Sequence, residues 1–206
     1  MYDVSNYRAN EYKAQFVSIL REHFPEVDAA VLADTLSLAA ERGKISYDEI
    51  EIRGDLKEDL LLQLEKERIL IPYNTSKTMA WEDRVLVFKP GELYEMPHVI
   101  RHLIKIVRSR GEWNPRHAIN MCLGEIGVPE PEKITGLFEN IIADIETNYI
   151  SPDNFMKKAG ELGHKSCLII AELKSGGMIS PCLRSPAKLR YEVNPSLMKG
   201  SVFEVK

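Results

Sequence analysis

The chain has 206 residues, 44% of them hydrophobic and 28% charged, with a formal net charge of −4, which suits one or two domains with apolar cores. No apolar run approaches the roughly 18 residues a membrane span needs, and the opening MYDVSNYRAN carries charge, so a cytoplasmic protein with no membrane partner is expected. Cys122, Cys167 and Cys182 are odd in number and show no CxxC spacing, which argues for reduced thiols rather than a disulfide framework or a zinc-cysteine site.

The charge is unevenly spread. Residues 151–206 hold nine Lys/Arg against five Asp/Glu, leaving 18 against 26 in the first 150 residues. A basic C-terminal quarter thus follows an acidic remainder.

From Asn10, the apolar positions Tyr12, Phe16, Ile19 and Leu20 recur at the spacing of one helix face, ending near Phe24-Pro25. A second amphipathic helix is expected from Asp28 to Arg42, with Gly43 as its stop. Lys44-Ile45 then precedes a short helix capped by Ser46, and Asp55 caps a third helix to about Lys66, with Leu56, Leu60, Leu61 and Leu64 inward. Ile69-Leu70-Ile71 and Val85-Leu86-Val87-Phe88 read as a strand pair around a polar loop that holds Lys77 and Trp81.

A long helix over Gly91–Arg110 places Val99, Ile100, Leu103, Ile104, Ile106 and Val107 on one arc and His98, Arg101, His102, Lys105 and Arg108 on the other. Asn114-Pro115 opens a further helix to about Glu125, and Glu132–Asn148 forms another with Leu137, Phe138, Ile141, Ile142 and Ile145 inward. Ser151-Pro152 starts the next, which Gly163 ends. A helix from His164 to Lys174 stops before Gly176-Gly177, and Met178-Ile179 and Leu189-Tyr191-Val193 close the series as strands joined by a basic turn over 182–187.

Two segments of the chain align. Ile45-Ser46-Tyr47-Asp48-Glu49-Ile50 lies over Ile150-Ser151-Pro152-Asp153-Asn154-Phe155 at an offset of 105. Leu60-Leu61-Gln63-Leu64 lies over Ile169-Ile170-Glu172-Leu173, and Ile69-Leu70-Ile71-Pro72 over Met178-Ile179-Ser180-Pro181, at an offset of 109. The change of offset falls between two helices, where an insertion is tolerated.

Both segments resemble winged-helix domains. The second, with HKSCLIIAELKSGGMISPCL followed by KLRYEVNP, is similar to the recognition helix and wing of winged helix-turn-helix transcription regulators. The resemblance implies a mostly α fold with small β-hairpin wings (α+β): a lead-in helix over 1–26, one winged-helix repeat over 27–92, linking helices over 93–126, a second repeat over 127–195 and a tail over 196–206. It also implies double-stranded DNA as a partner and a homodimer reaching two half-sites, although winged helices serve equally as protein-binding modules.

For the second repeat, His164, Lys165, Ser166 and Leu168 on the helix are the candidates for base edges or phosphates. Arg184, Lys188 and Arg190 beside the wing, with Lys157 and Lys158 on the preceding helix, are candidates for backbone contacts. The third helix of the first repeat instead turns outward Glu58, Asp59 and Leu62, an acidic and apolar face suited to a protein partner. No cofactor or metal is expected. His98 and His102 are four apart, but the helix offers no HExxH and no acidic third ligand, and Arg101 and Lys105 share their arc. Without a phosphate loop or a nucleophile–base pair, the expectation is a regulator rather than an enzyme, or else a scaffold that binds no nucleic acid.

Overall fold

The computed structural model describes residues 4–73, 80–145, 147–161, 166–182 and 189–199, with side chains from residue 13 onward except that of Ser166. Its elements in order are α1 (Val4–His23), α2 (Ala29–Arg42), β1 (Lys44–Ser46), a 3-10 turn (Tyr47–Glu49), α3 (Gly54–Lys66), β2 (Ile71–Pro72), a 3-10 turn (Trp81–Asp83) and β3 (Leu93–Glu95). They continue with α4 (His98–Arg110), α5 (Pro115–Glu125), α6 (Pro131–Ala143), β4 (Tyr149–Ile150), α7 (Pro152–Glu161), α8 (Ser166–Ser175), β5 (Ile179–Cys182), β6 (Arg190–Val193) and a 3-10 turn (Pro195–Leu197). The fold is mostly helical with two small antiparallel sheets, and among the described residues no helix is long and apolar enough to cross a membrane.

The two sheets share one topology. Each has three strands, in the order β1-β3-β2 and β4-β6-β5, so the last strand of each unit enters between the first two. The turn that feeds the middle of the series is also repeated bond for bond. Ile69 N donates to Leu64 O at 2.8 Å and Met178 N to Leu173 O at 2.9 Å, while Arg68 N bonds Glu65 O and Gly177 N bonds Lys174 O, each pair 109 residues apart. Both turns need a left-handed residue at the same place, and Arg68 (φ 52°) and Gly177 (φ 74°) supply it.

Helix α4 is the spine. Val99, Ile100, Leu103, Ile104, Ile106 and Val107 are all buried, as their spacing predicts, and α4 packs against α1, α2 and α5 in one continuous core. Asp28 caps α2 by accepting from the N–H groups of Ala30 (2.9 Å) and Val31 (3.3 Å), and Gly43 closes it in the left-handed region. The first turn of α4 also seats the second unit: Val99 N donates to Gly176 O at 2.9 Å. A Cβ on Gly177 would lie 2.5 Å from Pro97 Cβ, so this contact requires glycine twice over, for its space and for its φ.

Polar groups pin the two units together. The Arg68 guanidinium grips Glu192 through Nε–Oε1 (3.0 Å) and Nη2–Oε2 (3.3 Å), with both side chains largely buried. Asn194 Nδ2 donates to Arg68 O, Ser196 Oγ to Glu67 O, and Trp81 N to Ser180 Oγ, all between 2.8 and 3.0 Å. Ser180, Asn194 and Ser196 are almost wholly buried, so these bonds satisfy groups that water cannot reach. The tail that begins at Pro195 is thus part of this seam, and Leu197 is buried with it.

Several expectations are corrected. The strand expected at Val85–Phe88 is instead Leu93–Glu95, pairing with both β1 and β2; Leu86 and Phe88 pack on the core without joining a ladder. The turn around Pro90-Gly91 therefore precedes the return strand, and the long central helix begins only at His98. Helix α6 ends at Ala143, five residues short of the expected end, because the chain must extend at Tyr149 to pair with β6. Leu56, assigned inward, is 59% exposed: it sits in the first turn of α3, beyond the reach of the core that covers Leu60, Leu61 and Leu64. His102, assigned outward, is 5% exposed, since α5 covers that flank of α4.

Candidate functional site

Helices α3 and α8 occupy the same place in their units, directly before the left-handed turn and the second strand, and each leaves one face open. On α8, Ile169 and Leu173 point inward while Cys167, Leu168 and Ala171 are exposed, Leu168 by 57%. Ser166 opens this helix. His164, Lys165, Arg184 and Lys188 lie outside the described residues.

The remaining basic candidates divide. Lys157 is exposed on α7. Lys158 donates to Asn140 O at 3.0 Å and pairs with Asp144. Arg190, at the start of β6, lays its guanidinium 5.8 Å from the Tyr149 ring centroid, beside the exposed Leu189. A small recess of about 110 Å³ lies between α8 and the segment before α6, where Leu168 faces Val128 and Ile134 and the rim carries Glu130 and Glu172.

The equivalent recess of the first unit is wider, about 570 Å³, and is formed between α3 and the Glu26-Val27-Asp28 turn before α2. Leu56, Leu60 and Leu62 floor it, and Glu26, Asp28, Asp59 and Glu65 surround them with Lys66 as the basic exception. Asp59 and Leu62 are exposed as expected, whereas Glu58 is half-buried and outside the recess. Trp81 is 5% exposed; it packs into the seam with the Arg68 guanidinium 5.8 Å from its ring centroid, so it offers no anchor to a partner.

A third cluster joins α4 to α5. His98 and His102 sit one turn apart with ring centroids 5.2 Å from each other, and Glu125, the last residue of α5, places Oε2 3.4 Å from His98 Nε2 and 2.7 Å from His102 Nε2. Burial holds the His102 imidazole below its ordinary pKa, and the charges of His98 and Lys105 act in the same direction against the pull of Glu125. Desolvation opposes ionisation of Glu125, yet the two imidazoles beside it hold its carboxyl below the usual range. The acidic member comes from another helix, 23 residues beyond His102, which is why inspection of α4 alone missed it.

Two of the thiols are held toward the protonated form. Burial pushes Cys122 up to about 12, and Cys182 is raised first by its hydrogen bond to Glu82, at 3.0 Å across the seam.

No curated protein and no solved structure matches this chain. A family model that carries no functional description matches residues 14–204, a span that takes in both units and their seam, and the chain belongs to that family.

Proposed function

We propose that the chain is a tandem winged-helix regulator, in which α8 and the residues 183–188 contact double-stranded DNA and the α3 recess serves assembly with a protein partner or a second copy. In this reading α2, β1, α3, β2 and β3 form one winged helix, and α6, β4, α7, α8, β5 and β6 the other. The strand order of both sheets supports it, as does the helix–strand–helix–helix–strand–strand succession of the second unit, where the first unit has the 3-10 turn Tyr47–Glu49 in place of the middle helix. The observation that carries the functional part is the exposure of Cys167, Leu168 and Ala171 on the outward side of α8, the element that would enter a major groove, with Lys157 and Arg190 exposed on the same unit.

A second reading has its own observation. Glu130 and Glu172 rim the recess beside Leu168, and acidic groups next to a recognition helix repel phosphates. On that reading both units hold proteins and neither touches nucleic acid. Retention of genomic fragments by the purified chain at low salt separates the two. The regulator retains duplex fragments and loses them with Lys165→Ala or Arg184→Ala; the scaffold retains none.

A further inference from the structure

We propose that His98, His102 and Glu125 bind a divalent transition-metal ion, with zinc as its representative, through two imidazole Nε2 atoms and one carboxylate oxygen. The site stands on the geometry of the α4–α5 hairpin and holds whatever the two units bind.

The spacing fits one central ion. The donor atoms of all three residues lie within 4.8 Å of one another, with Nε2–Oε2 distances of 2.7 and 3.4 Å. Ligands about 2.0–2.2 Å from a metal at tetrahedral or octahedral angles stand roughly 3–3.5 Å apart, so small side-chain adjustments suffice. Histidines at positions i and i+4 share one helix face, and the third donor arrives from the end of the neighbouring helix.

The second observation is the state of His102. Its side chain is 7% exposed, yet among the described residues neither Nδ1 nor Nε2 has a partner in good hydrogen-bond geometry. A buried imidazole ordinarily donates from one nitrogen, and leaving both without a partner costs free energy. Glu125 Oε2 stands 2.7 Å from Nε2, and a metal held between the carboxylate and the lone pair of that nitrogen would complete both.

The local chemistry agrees. Zinc and its neighbours take imidazole nitrogen and carboxylate oxygen, the donors that His98, His102 and Glu125 supply. Two nitrogens and one oxygen suit a first-row transition ion better than Ca²⁺ or Mg²⁺, which prefer all-oxygen shells. Glu125 is 58% exposed and the His98 side chain 25%, so an ion can enter from solvent and keep water at its remaining positions. Arg101, which from sequence would repel a cation, turns to the other side and donates to Ala40 O. Lys105 is exposed and free to extend into water.

The test uses the full chain stripped with EDTA, with zinc measured against a chromophoric chelator and Co²⁺ as a visible-spectrum probe. The expected result is one equivalent of Zn²⁺, a Co²⁺ spectrum with nitrogen–oxygen character, and no comparable response to Mg²⁺. Because His102→Ala opens a buried position, Glu125→Gln and His98→Ala are the decisive variants; each should fold like the parent by circular dichroism and lose at least about tenfold in zinc affinity. Absence of stoichiometric zinc binding, unchanged affinity in both variants, a thiolate-type Co²⁺ spectrum, or an equal response to Mg²⁺ would overturn the assignment.

Discussion

Helices α3 and α8 stand in equivalent frames and present unlike faces. Leu60 and Leu64 in one, and Ile169 and Leu173 in the other, are buried at matching positions, and the turns that follow make the same hydrogen bonds. Outward, Asp59 in the first unit is replaced at the matching position by Leu168 in the second, and the wide acid-rimmed recess by a narrow one. The shared part is what a winged-helix frame would need in order to fold, and the differing part is what each unit would offer a partner. Two units with matching buried positions can thus carry unlike outward faces without disturbing their cores.

Substitutions at the paired core positions should damage both units alike. Leu64→Ala and Leu173→Ala each remove a side chain with no exposure and should cost about 2–5 kcal/mol in urea unfolding. Because one core runs through both units, each variant should lower a single transition rather than produce two. Separate transitions would show that the units are energetically independent.

The seam comes next in size. Arg68→Ala strands the Glu192 carboxylate in a mostly buried position and should cost about 3 kcal/mol, while Arg68→Ala combined with Glu192→Gln should cost less than the sum of the two single changes. Additive losses would mean that the pair contributes little to joining the units. Gly177→Ala adds a Cβ against Pro97 at a left-handed φ and should destabilise by about 1–3 kcal/mol, whereas Gly160→Ala, an exposed position where the Cβ meets no neighbour, should not destabilise.

The outward faces should give the smallest changes in stability and the largest in binding. Leu62→Glu and Leu168→Glu fall at exposed positions and should move stability by less than about 0.5 kcal/mol. On the regulator reading, Leu168→Glu abolishes retention of DNA and Leu62→Glu leaves it intact while weakening assembly, as gel filtration or co-purification would report. Equal effects of both on DNA would remove the proposed division of labour.

The sequence resolved this architecture where a pattern is local. Helical periodicity located α2 and the buried arc of α4, the Asn114-Pro115 and Ser151-Pro152 starts placed α5 and α7, and the offset of 109 anticipated the matched turns after α3 and α8. What escaped depends on partners distant in the chain. A run such as Val85–Phe88 has strand composition, but pairing with β1 and β2 goes to Leu93–Glu95, which the turn at Pro90-Gly91 delivers in register. His102 reads as a polar face residue until α5 is laid against it, and Glu125 becomes its neighbour only through that packing. Arg68 gives no sign in sequence that it holds a left-handed turn and reaches Glu192 124 residues away. The DNA candidates Lys165, Arg184, Lys188 and Lys158 remain proposals, Lys158 with its ion pair to Asp144.

The most direct test of the proposed functional division is the salt dependence of duplex DNA binding, followed by fluorescence anisotropy for the full chain and its Lys165→Ala, Arg184→Ala and Leu62→Glu variants. The proposal predicts a steep fall in affinity with salt, weaker binding and a shallower slope when Lys165 or Arg184 is removed, and no change with Leu62→Glu. Absence of binding at low salt, or binding insensitive to both basic substitutions, would contradict it.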